Sequence, residues 1–148
     1  EFPLLRATIE TNVAHQRLLV ERVAAGCAGA DGSLRGVRIA LLGLTFKENC
    51  PDIRNTKVID LINELKSYSM NVDIYDPWVD PKEAEHEYGV SMVPNLNEGE
   101  YDAVIIAVAH NEFKALGYDG IYKLGKDVTT YLDMKNVLGD EGKDEVRL

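Results

Sequence analysis

Two nearly continuous apolar segments constrain the fold of this chain more than any other feature. They are residues 37–42 (VRIALL) and 104–109 (VIIAVA). Their length and lack of polar alternation are typical of strands buried on both faces of a parallel sheet. After the first segment, apolar residues recur at the spacing of one helix face, namely Val58, Leu61, Ile62 and Leu65. Strands alternating with helices, joined by right-handed crossovers, predict an α/β fold with a Rossmann-like, doubly wound parallel sheet.

The other predicted elements continue this alternation. Residues 4–25 contain no Gly or Pro and predict one long N-terminal helix, which a Gly-rich connection ends. The predicted strands are 37–42, 72–76, 90–93, 104–109 and 128–133, and the predicted helices are 56–67, 81–88, 111–116 and 119–124. Asp80 and Pro81 supply a cap and a first-turn proline for the helix that Gly89 follows. We therefore divide the chain into a helix and linker, 1–30, and an α/β domain, 31–148.

Composition restricts the partners and the compartment. With 16 basic and 25 acidic residues the net charge is −9, which argues against nucleic acid or an anionic membrane as the main partner. No apolar run approaches the roughly 18 residues that cross a bilayer. Cys27 and Cys50 form no disulfide framework, so we expect a reduced, cytoplasmic setting. Because the chain starts at Glu1 rather than Met, we expect a processed chain or an excised piece of a longer one.

The long turn after the first predicted strand, residues 43–58 (GLTFKENCPDIRNTKV), carries two cations in an acidic chain. A Gly-x-Gly-x-x-Gly fingerprint is absent, because Thr45 and Glu48 occupy the second and third glycine positions. A diphosphate could instead be held by side chains, with Lys47 as a mobile point charge and Arg54 as a two-pronged fork. The alternative is that both cations are solvated or paired with neighbouring acids of the turn, Glu48 and Asp52.

Other polar residues are expected at the same edge of the sheet, since parallel strands end on one side and ligands bind there. Asp76 could accept a hydrogen bond from a ribose hydroxyl or could stabilise a turn before Pro77. His110 is expected to cap a loop rather than to bind metal, because the three histidines share no ligand spacing. Cys50 lacks a neighbouring histidine and is expected to be incidental rather than a nucleophile.

The motif at residues 43–58 closely resembles the start of the C-terminal, UDP-binding domain of the UDP-glucose/GDP-mannose dehydrogenase family. Further matches lie at Val72–Trp78, at Tyr101–His110 and at Tyr131–Lys135, while Glu10–Asn12 resembles the tail of the family's central dimerisation helix. The resemblance covers nearly the whole chain. The sequence Lys-Glu-Asn-Cys-Pro-Asp within this motif is most similar to that of family members that act on UDP-N-acetylhexosamines in surface-polysaccharide synthesis.

The resemblance implies an NAD-dependent parent enzyme, a homo-oligomer, that oxidises the C6 alcohol of a UDP-sugar to a uronate. It implies substrate-binding roles for Phe46, Lys47 and Lys135, and an NAD contact for Arg54. Lys135 stands where the family usually has arginine. The family's Gly-x-Cys-x-Pro-Lys-Asp nucleophile motif and its N-terminal NAD-binding domain do not occur in this sequence. No catalytic residue is therefore assigned, and the chain by itself is expected to be inactive.

Three further expectations follow. The apolar stripe of residues 4–25 would lie against the parent's central helix, so we expect it to pack on a neighbouring chain or to be poorly ordered. Asp52 is expected to hold the shape of the turn. Asn55 is expected to cap a helix beginning at Thr56.

Two other classes of protein are weighed against this resemblance. A stand-alone nucleotide-binding module of flavodoxin-like or Rossmann-like fold remains open. A phosphoacceptor signalling domain is disfavoured, because it would need an acidic pair after the first strand and an Asp after the third. Gly43-Leu44 and Val93-Pro94 stand at those positions.

Overall fold

The computed structural model describes residues 20–26, 36–54, 56–135 and 137. Its named elements are β1 (Arg38–Leu42), α1 (Val58–Ser67), β2 (Asn71–Tyr75), α2 (Pro81–Tyr88), β3 (Tyr101–Ile106), α3 (Asn111–Tyr122) and β4 (Gly125–Asp133). The four strands form one sheet in the order β2-β1-β3-β4, and every neighbouring pair is parallel. The predicted doubly wound parallel sheet is thereby confirmed.

Alternate residues of β1 enter the cores on the two faces of the sheet. Ile39 and Leu41 belong to the larger core, with the buried face of α1, whereas Ala40 and Leu42 belong to the smaller core, with Phe113 of α3. The α1 residues that the helical spacing singled out are all buried. Continuous apolar character in β1 therefore reflects burial on both sides, as predicted.

The ends of α2 follow its local sequence signals. Asp80 Oδ1 accepts a hydrogen bond from Lys82 N at 3.0 Å, and Pro81 occupies the first turn. Gly89 adopts a left-handed conformation (φ 68°), and its N–H donates to the carbonyl of Glu85 at 2.9 Å. These are the N-cap and C-cap arrangements that stop a helix at both ends.

Several predicted bounds are wrong. Instead of a strand at 90–93 the structure has a single bridge between Ile74 and Met92. The strand predicted at 104–109 runs from Tyr101 to Ile106, after which the chain leaves the sheet as a buried loop. The two helical stretches predicted at 111–116 and 119–124 are confirmed within α3, because the backbone of Gly117 (φ 67°, ψ −175°) between them is not helical. The second stretch ends at Tyr122 rather than at residue 124.

The N-terminal helix is described only over residues 20–26, and the rest of that prediction lies outside the described residues. In this part Val20 and Val23 are fully buried in the larger core of the domain itself. The expectation that the apolar stripe needs a neighbouring chain is therefore wrong for these two residues. Val20 and Val23 therefore join residues 20–26 to the larger core of the domain.

Candidate functional site

The carboxyl ends of the neighbouring strands β1 and β3 lie side by side, and the turns that follow them meet there. Gly43, the first residue after β1, has a φ of 109° and donates its N–H to Tyr75 O at 2.9 Å. A Cβ at this position would lie 2.6 Å from Val108 Cβ and 2.8 Å from Val108 N. Glycine is therefore required both for the backbone conformation and for the close approach of the two turns.

The turn after β1 is closed by its own hydrogen bonds. Phe46 N donates to the carbonyl of Asp52 at 2.8 Å. The Asp52 carboxylate accepts from Arg54 N at 2.9 Å and from the Arg54 guanidinium at 3.0 Å through both oxygens. The Arg54 hydrogen bonds lower the pKa of Asp52 to about 2. The geometry agrees with the expected role of Asp52 and also with the alternative that Arg54 pairs with it.

Asp76 is the polar residue that joins this turn to β2. Its Oδ2 accepts from Leu44 N at 2.7 Å and from Thr45 N at 3.2 Å, while its Oδ1 accepts from Trp78 N at 2.9 Å. His110 Nε2 lies 2.9 Å from the same Oδ2. Because Asp76 is buried and its carboxylate has these four partners, the structure favours the turn-stabilising role over ribose recognition.

His110 follows β3 and is completely buried against this carboxylate. Its Nδ1 accepts a hydrogen bond from Asn49 N at 2.8 Å, and its Nε2 lies 3.1 Å from Thr45 Oγ1. Thr45 Oγ1 donates to the carbonyl of Lys47 at 2.9 Å. His110 was expected to cap the loop after its own strand, but its side chain makes no capping bond to α3 and instead binds the turn after β1. No three metal-ligating side chains gather anywhere in the part of the chain that the structure describes.

Beside this buried cluster, the turn after β1 and the start of α1 enclose a cleft of about 280 Å³. Its lining comprises Thr45, Phe46, Lys47, Glu48, Thr56, Lys57, Val58, Ala107, Val108 and Lys135. Three of the residues predicted to bind substrate, Phe46, Lys47 and Lys135, therefore lie around one cleft. Arg54 does not line it, and its side chain is 81% exposed outside the cleft.

Charge distinguishes the cleft from the rest of this acidic chain. Three lysines, Lys47, Lys57 and Lys135, line it against one acid, Glu48. At the start of α1, Thr56 Oγ1 accepts from Val58 N at 3.3 Å, while Lys57 in the N-cap position makes no side-chain capping bond. Helix amide groups and lysine side chains together favour an anionic ligand.

The start of α1 also corrects and extends the prediction. The helix begins at Val58 rather than at Thr56, and Asn55 lies outside the described residues. Lys57 was missed as a lining residue. Its position immediately before the first helix of a doubly wound sheet was the available signal, because anions bind at such helix starts.

A parallel doubly wound sheet with a lysine-lined cleft at its switch point defines a domain of the nucleotide-binding α/β class. Comparison with known families makes the assignment specific. The chain belongs to the UDP-glucose/GDP-mannose dehydrogenase family, whose UDP binding domain model matches residues 40–140.

Two curated relatives from different bacteria, both with the same name, match most of this chain. The UDP-N-acetyl-D-glucosamine 6-dehydrogenase of Pseudomonas aeruginosa is 52% identical over 113 residues, 76% of this chain and 26% of the relative. The enzyme of the same name from Salmonella typhi is 49% identical over 116 residues, 78% of this chain and 27% of the relative. The chain thus spans about a quarter of the length of the relatives it matches.

A solved structure supports the fold. The NDP-N-acetyl-D-galactosaminuronic acid dehydrogenase of Methanosarcina mazei superposes with a TM-score of 0.71 at 23% identity, over 92% of this chain and 28% of the other. Among the residues that the structure describes, no helix has the length and apolar character needed to cross a membrane.

Proposed function

We propose that the cleft binds the diphosphate-bearing part of a nucleotide sugar. On this proposal residues 31–148 are the nucleotide-sugar-binding, C-terminal domain of an NAD-dependent UDP-sugar 6-dehydrogenase. The substrate is a UDP-N-acetylhexosamine, and its C6 alcohol is oxidised to a uronate for surface-polysaccharide synthesis. The names of the two curated relatives support this substrate class.

The observation that carries the proposal is the charge of the cleft. A diphosphate is a compact dianion, and the three lysines converge on the cleft in a chain of net charge −9. Lysine binds phosphate as a point charge and needs no glycine-rich cradle. Lys47 in the long turn and Lys57 before α1 both line the cleft, and we propose that the connection carries Lys47 in order to bind the diphosphate.

Phe46 contributes apolar surface at the edge of the same cleft. Its side chain is 53% exposed, and among the described residues it is one of two large hydrophobic side chains that are exposed. A ligand that covers this ring removes apolar area from water, which stabilises the complex. We therefore propose that Phe46 packs on the uridine or sugar of the ligand.

Arg54 is proposed to contact NAD, which would approach from outside the cleft. An exposed guanidinium held in place by Asp52 fits that role, because it can offer donors to a phosphate while its position remains fixed. NAD, when bound, supplies the hydride acceptor for the oxidation. The residues of this chain contribute binding and orientation, and the nucleophile is expected in another part of the full-length protein.

The binding proposal is tested by calorimetric titration of this chain with UDP. Lys47→Ala, Lys57→Ala and Lys135→Ala are each expected to weaken binding by about 1.5–3 kcal/mol, the value of a hydrogen bond to a charged group. Lys66→Ala is the matched control, because Lys66 is exposed in the last turn of α1, at the opposite end from the cleft. Wild-type affinity in all three cleft variants would refute the proposal.

The division of roles between Lys47 and Arg54 is tested by kinetics of the full-length protein. Arg54→Lys is expected to raise the KM for NAD more than the KM for the sugar nucleotide, because the fork is lost. Lys47→Ala should chiefly affect the sugar nucleotide. If neither change alters either KM or kcat, both cations are solvated surface groups.

We also propose that residues 1–30 are the tail of the central dimerisation helix and its linker, in a homo-oligomeric full-length protein. The present chain alone is expected to give no NADH from any UDP-sugar, because its sequence contains neither the nucleophile motif nor the main NAD-binding domain. Absorbance at the NADH band after mixing with UDP-N-acetylhexosamines and NAD measures this. Turnover by the purified chain would contradict the proposal that the nucleophile and the main NAD-binding domain lie in other parts of the full-length protein.

A further inference from the structure

We propose that His110 is a positioning residue for the cleft. In this role its neutral imidazole, protonated on Nε2, orients the backbone of residues 45–49 so that Lys47 faces the ligand. The inference concerns the same cleft and rests on the proposed function only in its ligand-binding part. It starts from the hydrogen bonds that the ring makes on its two sides.

The protonation state of the ring follows from its partners. Asn49 N–H donates to Nδ1 at 2.8 Å, so Nδ1 must carry a lone pair rather than a proton. The Asp76 carboxylate only accepts, so Nε2 at 2.9 Å must carry the proton. The whole ring is buried, so bulk water does not reach either nitrogen. One neutral tautomer satisfies both contacts.

The Nε2 side extends to the backbone of Lys47. Thr45 Oγ1 uses its single proton toward the Lys47 carbonyl, at 2.9 Å. The hydroxyl oxygen can therefore accept from His110 Nε2, at 3.1 Å, and the Nε2 proton is shared between Thr45 and Asp76. The position of the Lys47 backbone thus depends on His110 through one intervening side chain.

The Nδ1 side holds the far end of the same segment. Asn49 has a left-handed backbone (φ 55°), which is uncommon for a residue with a side chain and is stabilised here by its bond to Nδ1. Asn49 Oδ1 also accepts from Asn111 N at 2.8 Å, which ties the turn to the start of α3. Residues 45 and 49 are therefore both held by one imidazole.

Aromatic packing keeps the ring in this orientation. The Trp78 ring stacks on His110 with centroids 5.9 Å apart, and Phe113 contacts it at 5.3 Å. Trp78 Nε1 donates to Glu112 at 2.8 Å, so the covering ring is itself fixed. Rotation of the imidazole, which would exchange its two nitrogens, is opposed by these two packed rings.

The tautomer and the hydrogen bonds are measured by NMR of the ¹⁵N-labelled chain. Two-bond ¹⁵N–¹H correlations should identify His110 as the Nε2–H form, and a coupling across the hydrogen bond should join Asn49 N to His110 Nδ1. These readouts do not depend on any ligand. An Nδ1–H tautomer, or an imidazolium at neutral pH, would overturn the inference.

The positioning role is measured with two mild variants. His110→Gln retains a donor toward Asp76 but has no acceptor at the position of Nδ1, where Asn49 N–H donates. Thr45→Val removes the hydroxyl link to Lys47 while leaving His110 and Asp76 bonded. In His110→Gln the Asn49 amide should exchange faster. In both variants the affinity for UDP should fall roughly fivefold, as expected for the loss of one orienting hydrogen bond. His86→Gln, at an exposed histidine of α2, is the control and should leave binding unchanged.

The outcomes separate the two proposals. Folded variants that bind UDP like the wild type would overturn the positioning role and leave the cleft assignment intact. If His110→Gln fails to fold, Thr45→Val alone decides in the same way. If the wild-type chain binds no UDP, the proposed function fails, whereas the tautomer and the Asn49 exchange still decide whether His110 holds the turn.

Discussion

The sheet has one edge near which the strands begin and one at which they end, here called the amino rim and the carboxyl rim. Each rim contains a polar cluster, and the two clusters differ in their burial and in their partners. At the amino rim, Arg38 pairs with Asp73 at 3.0 Å and with Glu100, and these three side chains are 27–45% exposed. At the carboxyl rim, Asp76 and His110 have side chains with no exposure at all. The first cluster joins charged side chains to one another in partial contact with solvent. The second joins a carboxylate and an imidazole mainly to backbone groups.

The polar contacts at the amino rim join strands of the sheet to one another. Tyr101 Oη donates to Asp73 Oδ2 at 2.7 Å, and the Arg38 guanidinium lies 5.1 Å from the centre of the Tyr101 ring. Arg38 N also donates to Asp102 Oδ2 at 2.9 Å. These contacts connect the first residues of β1 and β3 to one another and to Asp73 in the middle of β2.

The carboxyl rim instead determines the conformation of a turn that lines the cleft. The contrast shows that the structural role of a polar residue near a strand end depends on the groups that it contacts. Exposed pairs of charges contribute little each, because solvent screens them. Buried acceptors that satisfy backbone N–H groups cannot be lost without leaving those donors unpaired.

The largest effect is expected from removing the acceptor at the carboxyl rim. Asp76→Ala leaves the N–H groups of Leu44, Thr45 and Trp78 without their acceptor and leaves the His110 Nε2 proton with Thr45 Oγ1 alone. The free energy of unfolding should therefore fall by about 3 kcal/mol or more. Asp73→Ala, within the strand that Asp76 follows, removes contacts that are only partly buried and should cost about 1 kcal/mol. Urea denaturation of the two variants measures the difference, and equal losses would remove the distinction between the rims.

The next effect concerns the close approach of the turns at Gly43. Gly43→Ala places a methyl group against Val108, and the overpacking should cost about 1–3 kcal/mol beyond the strain of the backbone. Gly36→Ala is the matched control, because Gly36 also has a positive φ (82°) but no atom within 4 Å of the added Cβ. Thermal unfolding compares them. A loss no larger at Gly43 than at Gly36 would mean that the turns can move apart freely.

A smaller effect is expected at the amino rim at alkaline pH. Burial, reinforced by the hydrogen bond to Asp73, raises the pKa of Tyr101 to about 12. The unfolded chain releases this proton near pH 10, so it binds fewer protons than the folded chain, and stability falls as the pH rises from about 10 to about 12. Tyr101→Phe should cost about 1 kcal/mol at neutral pH and should remove this part of the alkaline slope. Parallel slopes for both proteins would show that Tyr101 titrates alike in both states.

The smallest effect is local to the turn after β1. The Arg54 hydrogen bonds hold the pKa of Asp52 at about 2, so its carboxylate should remain ionised well below the ordinary range. NMR titration of the Asp52 carboxyl carbon should show a midpoint near 2, and Arg54→Met should return this pKa toward its ordinary value of 3.8. Since the depressed pKa favours the folded chain above about pH 4, that contribution disappears as the pH falls toward 2. A wild-type midpoint already near 3.8 would mean that the pair is open in solution.

Much of the fold could be predicted, because its signals are local. The helical spacing from Val58 to Leu65 and the stop at Gly89 operate within one element, and the structure agrees with them. The strand predicted at 90–93 was wrong, because its apolar residues pack against the core with only one bridge to Ile74. An apolar pattern indicates burial, whereas a strand also needs consecutive backbone pairing with its neighbour, and residues 90–93 make one bridge to the edge strand β2.

The cleft was predictable only in part. Phe46, Lys47 and Lys135 were found through resemblance to a family, and the structure brings them together although Lys135 follows the last strand. Lys57 was missed because the helix was predicted to begin at Thr56, which placed Lys57 inside the helix rather than immediately before it. The division between the cleft lysines and Arg54 needed the turn's geometry, since both cations lie in one sequence motif.

The sequence by itself determined the alternation of strands and helices, the length of the turn after β1 and the presence of cations in it. The tertiary structure decided what Asp76 and His110 do. They lie 34 residues apart, and they meet because β1 pairs with β2 on one side and β3 on the other. A buried polar group must find a partner, and which partner it finds depends on the order of the strands rather than on its neighbours in the chain.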